Sequence, residues 1–208
     1  NKKHYVLGNK DGLFYYGVTN TWDTHRELLR KYPRSIAIID ALPDLTAPRQ
    51  LREEFPGRVF LVHYARDRKT MQIIRWGEGK ELGNVLVDRN RMMQIVVDDF
   101  ANKMIPLQGT QDDWEDYVSH WLTLYKMTEM DALGVPVSVW ETSNGMDHWC
   151  HATLYWRVGM DRFKNDGGKI FTGEPTSFPT ARTVVSDTVS FKPKFDLPNI
   201  ATDDWRTT

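Results

Sequence analysis

Apolar positions along the first third of the chain fall into short runs with strand character. His4-Tyr5-Val6-Leu7 and Leu13-Phe14-Tyr15-Tyr16 are β-rich runs joined by Gly8-Asn9-Lys10-Asp11-Gly12. A linker ending in Asp-Gly predicts an antiparallel hairpin, with Asp11 as a turn residue. Thr24-x-x-Glu27 has the form of a capping box and predicts a helix from Thr24, with Leu28, Leu29 and Tyr32 on its buried side and Pro33 as its stop. Ile36, Ala37, Ile38 and Ile39 then form an unbroken apolar run. That is the pattern of a strand covered on both faces in the middle of a parallel or mixed sheet. Thr46 is placed to cap a helix with Pro48 in its first turn, ending at Phe55 before Pro56-Gly57, and Arg58–Tyr64 is the next strand. Hairpin, helix, strand, helix, strand is the order of an α/β domain with a mixed sheet.

Residues 65–88 interrupt this order. Met71–Trp76 and Asn84–Val87 are able to pair around Gly77-Glu78-Gly79-Lys80, and Arg66, Arg68, Lys69 and Arg75 cluster there. The stretch reads as a protruding basic hairpin, either a phosphate-binding ribbon or a solvated edge whose cations discourage strand addition. Gly77-Glu78-Gly79-Lys80 lacks the spacing of a P-loop. Asp88 opens an amphipathic helix to about Lys103 with Met92, Val96 and Phe100 on one side, and the N-cap role accounts for it without function. After Pro106 and Gly109, the stripe Trp114, Tyr117, Val118, Trp121, Tyr125 predicts a longer helix whose aromatic side is core. A short strand at Val135–Trp140, a turn at Thr142-Ser143-Asn144-Gly145 and a helix from Met146 to about Phe163 follow. Residues 165–208 are rich in Thr, Ser, Pro, Gly and Asp, which predicts a tail lying on the surface or partly disordered.

Composition narrows the classes. A chain of 208 residues with 40% hydrophobic content is long enough to bury a core. It has no stretch approaching the ~20 apolar residues of a membrane span. Lys plus Arg (27) against Asp plus Glu (28) leaves a formal charge of −1, so any nucleic-acid surface must be a local patch. The single cysteine, Cys150, cannot form an internal disulfide.

The candidate chemistry is acidic. Asp40 ends the apolar strand where open α/β sheets place ligands, although it also fits a loop start or a helix cap. Asp44, set off by Pro43, is a second acid nearby. Asp147 lies at the opening of the last helix, where a carboxylate also favours the helix dipole. His151 falls one turn later on the same face, with Tyr155 beyond it; a lone histidine there is either structural or a support for a ligand.

These residues carry a resemblance. An acid on a buried strand and another on a late helix is the arrangement of ribonuclease H-like nucleases. The segments H-Y-V-L-G-N-K-D-G-L-F-Y-Y-G (4–17), I-I-D-A-L-P-D (38–44), F-P-G-R-V-F-L-V-H-Y (55–64), V-D-R-N-R (87–91) and D-H-W-C-H-A-T-L-Y (147–155) together resemble the nuclease domain of the large terminase subunit of tailed bacteriophages. The resemblance implies a ribonuclease H-like mixed central sheet flanked by helices, with an inserted β-hairpin, over residues 1–164. It implies Asp40 and Asp147 as catalytic metal ligands, with Asp44 as a weaker candidate contact; Asp88 and His151, from their places at the helix starts, are further candidate contacts of the site. Two Mg²⁺ or Mn²⁺ ions are expected, since hard, oxygen-preferring ions suit carboxylates. Arg66, Arg68, Lys69 and Arg75 are the expected DNA contacts.

The implied activity is metal-dependent endonucleolytic cutting of concatemeric viral DNA in the host cytoplasm during virus assembly. The implied partners are double-stranded DNA, an N-terminal ATPase domain, a small terminase subunit and the portal, with no membrane. The family's first catalytic aspartate lies on a strand before residues 4–8, which puts it upstream of Asn1; a missing upstream part is also the expectation from a chain that opens without Met. Two other readings stay open: another ribonuclease H-like nuclease such as a junction resolvase, and an inactive DNA- or portal-docking module.

Overall fold

The computed structural model describes residues 2–65, 72–131 and 133–165. The elements are β1 (Lys3–Asn9), β2 (Gly12–Thr19), α1 (Asp23–Lys31), β3 (Ala37–Asp40), α2 (Thr46–Glu54), β4 (Val59–Tyr64), β5 (Ile74–Trp76), β6 (Asn84–Val87), α3 (Arg89–Ala101), α4 (Glu115–Trp121), β7 (Leu124–Met130), β8 (Pro136–Thr142) and α5 (His148–Asn165). The fold is mixed α/β. A four-stranded sheet runs in the order β3-β4-β6-β5, with β3, β4 and β6 parallel and β5 antiparallel.

Strand alternation divides the core between the two faces of this sheet. Ala37 and Ile39 of β3 and Val59 and Leu61 of β4 pack with Leu29 of α1 and Leu51 of α2. The alternate residues Ile38, Val62, Val85 and Val87 pack with Met92, Met93 and Val96 of α3 and Leu154 and Val158 of α5. Arg58 locks α1 to the sheet by donating to the carbonyls of Leu29 and Tyr32 at 2.7 Å each and of Ser35 at 2.9 Å. The carbonyl of Leu29 lies in the last turn of the helix, where it has no intrahelical partner, and that of Tyr32 also accepts the Ser35 N–H and hydroxyl.

The β1–β2 hairpin forms as the Asp-Gly linker predicts, with a bulge at Leu7/Gly8. Gly12 has φ 117°, and a side chain there would collide with the Pro106 carbonyl that accepts from the Leu13 N–H at 2.9 Å. Among the described strands β1 pairs only with β2, and β3 only with β4. Helix α5 packs across both: Gly159 brings it onto Ile38, and a side chain at Gly8 would collide with Trp156.

Several expectations are corrected. Among the described strands the run at Ile36–Ile39 is at the border of its sheet, and β4, paired on both sides, is an interior strand. A continuous apolar run reports helices on both faces, which β3 has, and says nothing of edge position. The capping box at Thr24 does not form, because α1 starts at Asp23 and the Thr24 hydroxyl bonds that of Thr19 at 2.9 Å. Thr46 likewise is inside α2; its N–H donates to Asp44 Oδ1 at 2.9 Å.

The hairpin of β5 and β6 does not protrude, since β6 pairs with β4 and builds the pair into the central sheet. The helix expected through Tyr125 stops at Trp121. Thr123 closes it by donating to the His120 carbonyl at 2.8 Å, and Leu124–Met130 pairs with β8 as an exposed antiparallel hairpin. Long-range pairing overrides the helical spacing there. Trp114, Tyr117 and Trp121 keep their core role, with Tyr117 Oη 2.6 Å from Thr153 Oγ1. The tail expectation falls on residues 166–208, outside the described residues. Among the described residues, no helix is long and apolar enough to cross a membrane.

Candidate functional site

Alternation along β3 decides where Asp40 faces. Ile38 and Asp40 share the α5 side of the sheet, and the Asp40 Oδ2 accepts the Tyr155 hydroxyl of α5 at 2.9 Å. Its Oδ1 accepts the Leu42 N–H at 3.0 Å, which fixes the chain as it leaves the strand. The same alternation on the neighbouring strand points Tyr64, the last residue of β4, toward α5. Its hydroxyl lies 2.6 Å from His151 Nδ1, and its ring stacks on that of Tyr155 with centroids 5.9 Å apart. His151 Nε2 lies 3.1 Å from Asp147 Oδ2.

Asp147, His151 and Tyr155 thus form one stripe at i, i+4 and i+8, and the strand ends reach it from below. Asp40 and Asp147 come to the same side of the molecule without touching: Tyr155, Tyr64 and His151 lie between them. The Asp147 carboxylate is directed to side chains, not to the backbone N–H groups of the first turn of α5. Besides His151, it faces Arg89 at 3.7 Å, and Arg89 also faces Glu141 of β8 at 3.8 Å.

The electrostatics follow from burial and these partners. Burial alone would raise the Asp147 pKa, but the His151 hydrogen bond and charge, with Arg89 and His148, hold it below the usual carboxylate value. Burial pushes both phenols far up. The neighbouring acid Asp40 adds to the rise at Tyr155, and Asp40 and Asp147 add to it at Tyr64. Both hydroxyls therefore stay protonated and remain donors at any ordinary pH.

The other residues singled out by sequence have different places. Asp88 is buried and accepts the Arg91 N–H at 3.2 Å, so it is the N-cap of α3. Asp44 is exposed and braces the start of α2. Arg75 alternates with Ile74 and Trp76, whose side chains pack on the α5 side, and so projects from the opposite face to Asp40. There it faces Glu81 at 4.0 Å beside a cavity of about 130 Å³ lined also by His63, Asn84 and Leu86. Arg66, Arg68 and Lys69 lie outside the described residues.

Tyr64 and Arg89 were not singled out from sequence. Tyr64 carried one signal, its position at the carboxyl end of the strand after Asp40's. Arg89 carried none beyond its place next to Asp88.

Hard carboxylate oxygens suit Mg²⁺ or Mn²⁺, and Asp40 and Asp147 are of that kind. Among the described residues no group of three His, Cys, Asp or Glu side chains is arranged to hold a metal ion. No family model matches the chain, and neither a curated protein nor a solved structure does.

Proposed function

We propose that this chain is a ribonuclease H-like nuclease domain of the kind found in the large terminase subunit, a metal-dependent endonuclease that cuts concatemeric double-stranded viral DNA during packaging. The observation that carries this reading is the meeting of Asp40 and Asp147 on one side of the sheet, joined by the Tyr155, Tyr64 and His151 side chains. The ends of parallel strands are where such sheets bind ligands, and Asp40 ends β3. In the family the site has a third acid on a strand of its own. The edges of β1 and β3 that no described strand pairs, both packed by α5, are compatible with a strand between them.

Asp40 and Asp147 would hold the Mg²⁺ or Mn²⁺ ions, which supply charge stabilisation at the phosphate and a water activated at neutral pH. Arg89 would keep Asp147 ionised and oriented. DNA would be drawn in by cations of the 66–69 stretch. The ATPase domain, small subunit and portal are the partners this reading entails, and the host cytoplasm its place of action.

The test is a calorimetric titration of Mn²⁺ with cleavage of linear duplex DNA and of a branched junction. Asp40→Asn and Asp147→Asn should each lower Mn²⁺ affinity, and each should lower cleavage in a chain extended upstream by one strand. Preference for the junction would favour a resolvase. Metal binding unchanged in both variants would leave Asp40 as a loop brace and Asp147 as a helix-start acid. Replacing Arg66, Arg68 and Lys69 with Ala should lower the log–log salt slope of DNA binding by about 0.9 per lost phosphate contact.

A further inference from the structure

The acids of this site sit at the ends of their elements, whereas the tyrosines between them sit on rigid ones. Asp40 is the last residue of β3 and leads into a loop with an exposed Leu42, and Asp147 precedes the first residue of α5. Tyr155 lies two turns into α5, and Tyr64 closes β4, the strand held on both sides. Side chains fixed by packed elements set the geometry of those that are not.

We infer that Tyr155 and Tyr64 are the positioning residues that set the two carboxylates relative to each other; this rests on the nuclease reading of the same site. A carboxylate is the stronger acceptor, so the Tyr155 proton goes to Asp40 Oδ2 at 2.9 Å. With the Leu42 N–H on Oδ1, two of the roughly four lone-pair positions of Asp40 are taken and the carboxylate cannot rotate. The rest stay open to a cation.

On the other arm, the Tyr64 hydroxyl and His151 Nδ1 are hydrogen-bonded at 2.6 Å. The other ring nitrogen, Nε2, lies 3.1 Å from Asp147 Oδ2. Tyr64 thereby fixes the orientation of the ring that holds Asp147. The arms meet where the two phenol rings stack, with an interplanar angle of 28°. Fixing one ring fixes the other, and with it the offset between the acids.

The experiment compares wild type, Asp40→Asn, Tyr155→Phe, Tyr64→Phe and Leu154→Ala by Mn²⁺ calorimetry and by melting in chelator. Removing an outer partner of a metal ligand lowers affinity by roughly 10–100-fold. Tyr155→Phe should fall in that range with its metal-free melting temperature nearly unchanged. Leu154→Ala, which cuts a buried side chain on the same helix, should lower melting and leave affinity intact below the transition.

Wild-type affinity in Tyr155→Phe, with binding lost in Asp40→Asn, overturns the positioning role and leaves the nuclease reading standing. Equal binding by wild type and Asp40→Asn, or none by either, overturns that reading and this inference with it. If Tyr155→Phe melts well below wild type, Tyr64→Phe decides. Weaker Mn²⁺ binding there supports the role, and unchanged binding overturns it.

Discussion

The two faces of the β3–β4 pair are made from alternate residues of the same short strands, yet they are built for different ends. On the α1–α2 side, Ala37, Ile39, Val59 and Leu61 meet Leu29 and Leu51 in a closed apolar layer, fastened by the Arg58 guanidinium. On the α5 side, the layer is apolar around Ile38 and Val62 and turns polar at the carboxyl ends, with Asp40, Tyr64, His151 and Tyr155. A pleated strand can keep one face for stability and give the end of the other to chemistry, because successive side chains never compete for the same space. A substitution on one face should then be felt mainly in folding, and one on the other mainly in binding.

The largest effect belongs to the closed face. Leu61→Ala, at a position 1% exposed, should destabilise the fold by about 2–5 kcal/mol through lost burial and a residual cavity. Urea unfolding measures it, and Mn²⁺ affinity below the transition should not change. A matching loss of affinity would mean that the two faces are not separable.

Acid should act next, through α1. His25, between the rings of Tyr5 and Trp22, is held neutral by burial, which lowers its pKa to about 4 from 6.5. The unfolded chain accepts a proton across that interval and the folded chain does not, so stability should rise with pH from about 4 to 6.5 and level off above. A shift of this size sets a ceiling of about 3 kcal/mol. In His25→Phe the pH dependence of the urea midpoint should shrink. It should not vanish, because His4 is also lowered to about 4, by burial and by His148 and His120.

Arg58→Ala should cost about 1–3 kcal/mol, the expense of leaving the carbonyls of Leu29 and Ser35 without the guanidinium donor, while Tyr32 keeps the Ser35 N–H and hydroxyl. Equilibrium unfolding would show it, and amide exchange should quicken first in the last turn of α1. The smallest change in folding is expected on the polar end. Asp40→Asn should move stability in chelator by no more than about 0.5 kcal/mol, as for most substitutions away from the core. A large loss there would make Asp40 a structural residue and erase the contrast.

Hydrophobic patterning and turn chemistry made much of this fold readable. The β1–β2 hairpin, β3, β4, α3 with Met92 and Val96 inward, and α5 behind Asp147 all lie where local spacing puts them. The failures share a cause. Thr24 and Thr46 each have the chemistry of a cap, and a neighbouring hydroxyl or a one-residue shift of the helix start removed the role. Tyr125 continues a helical stripe, but cross-strand pairing with Glu141 claims it for β7. Arg75 belongs to a basic cluster in sequence, and alternation in β5 sends it to the other face from Asp40.

What the amino-acid order determined alone is therefore local: which runs become strands or helices, where Asp-Gly turns the chain, and that acids stand at Asp40 and Asp147. Their distance in sequence says nothing of their distance in space. Tertiary structure decided that both acids face α5 and that Tyr64 and Tyr155 stand between them. The physical reason is that facing is set by strand register and helix phase together. A single-residue slip in either would turn Asp40 or His151 away, and only packing of the whole sheet against α5 excludes that slip.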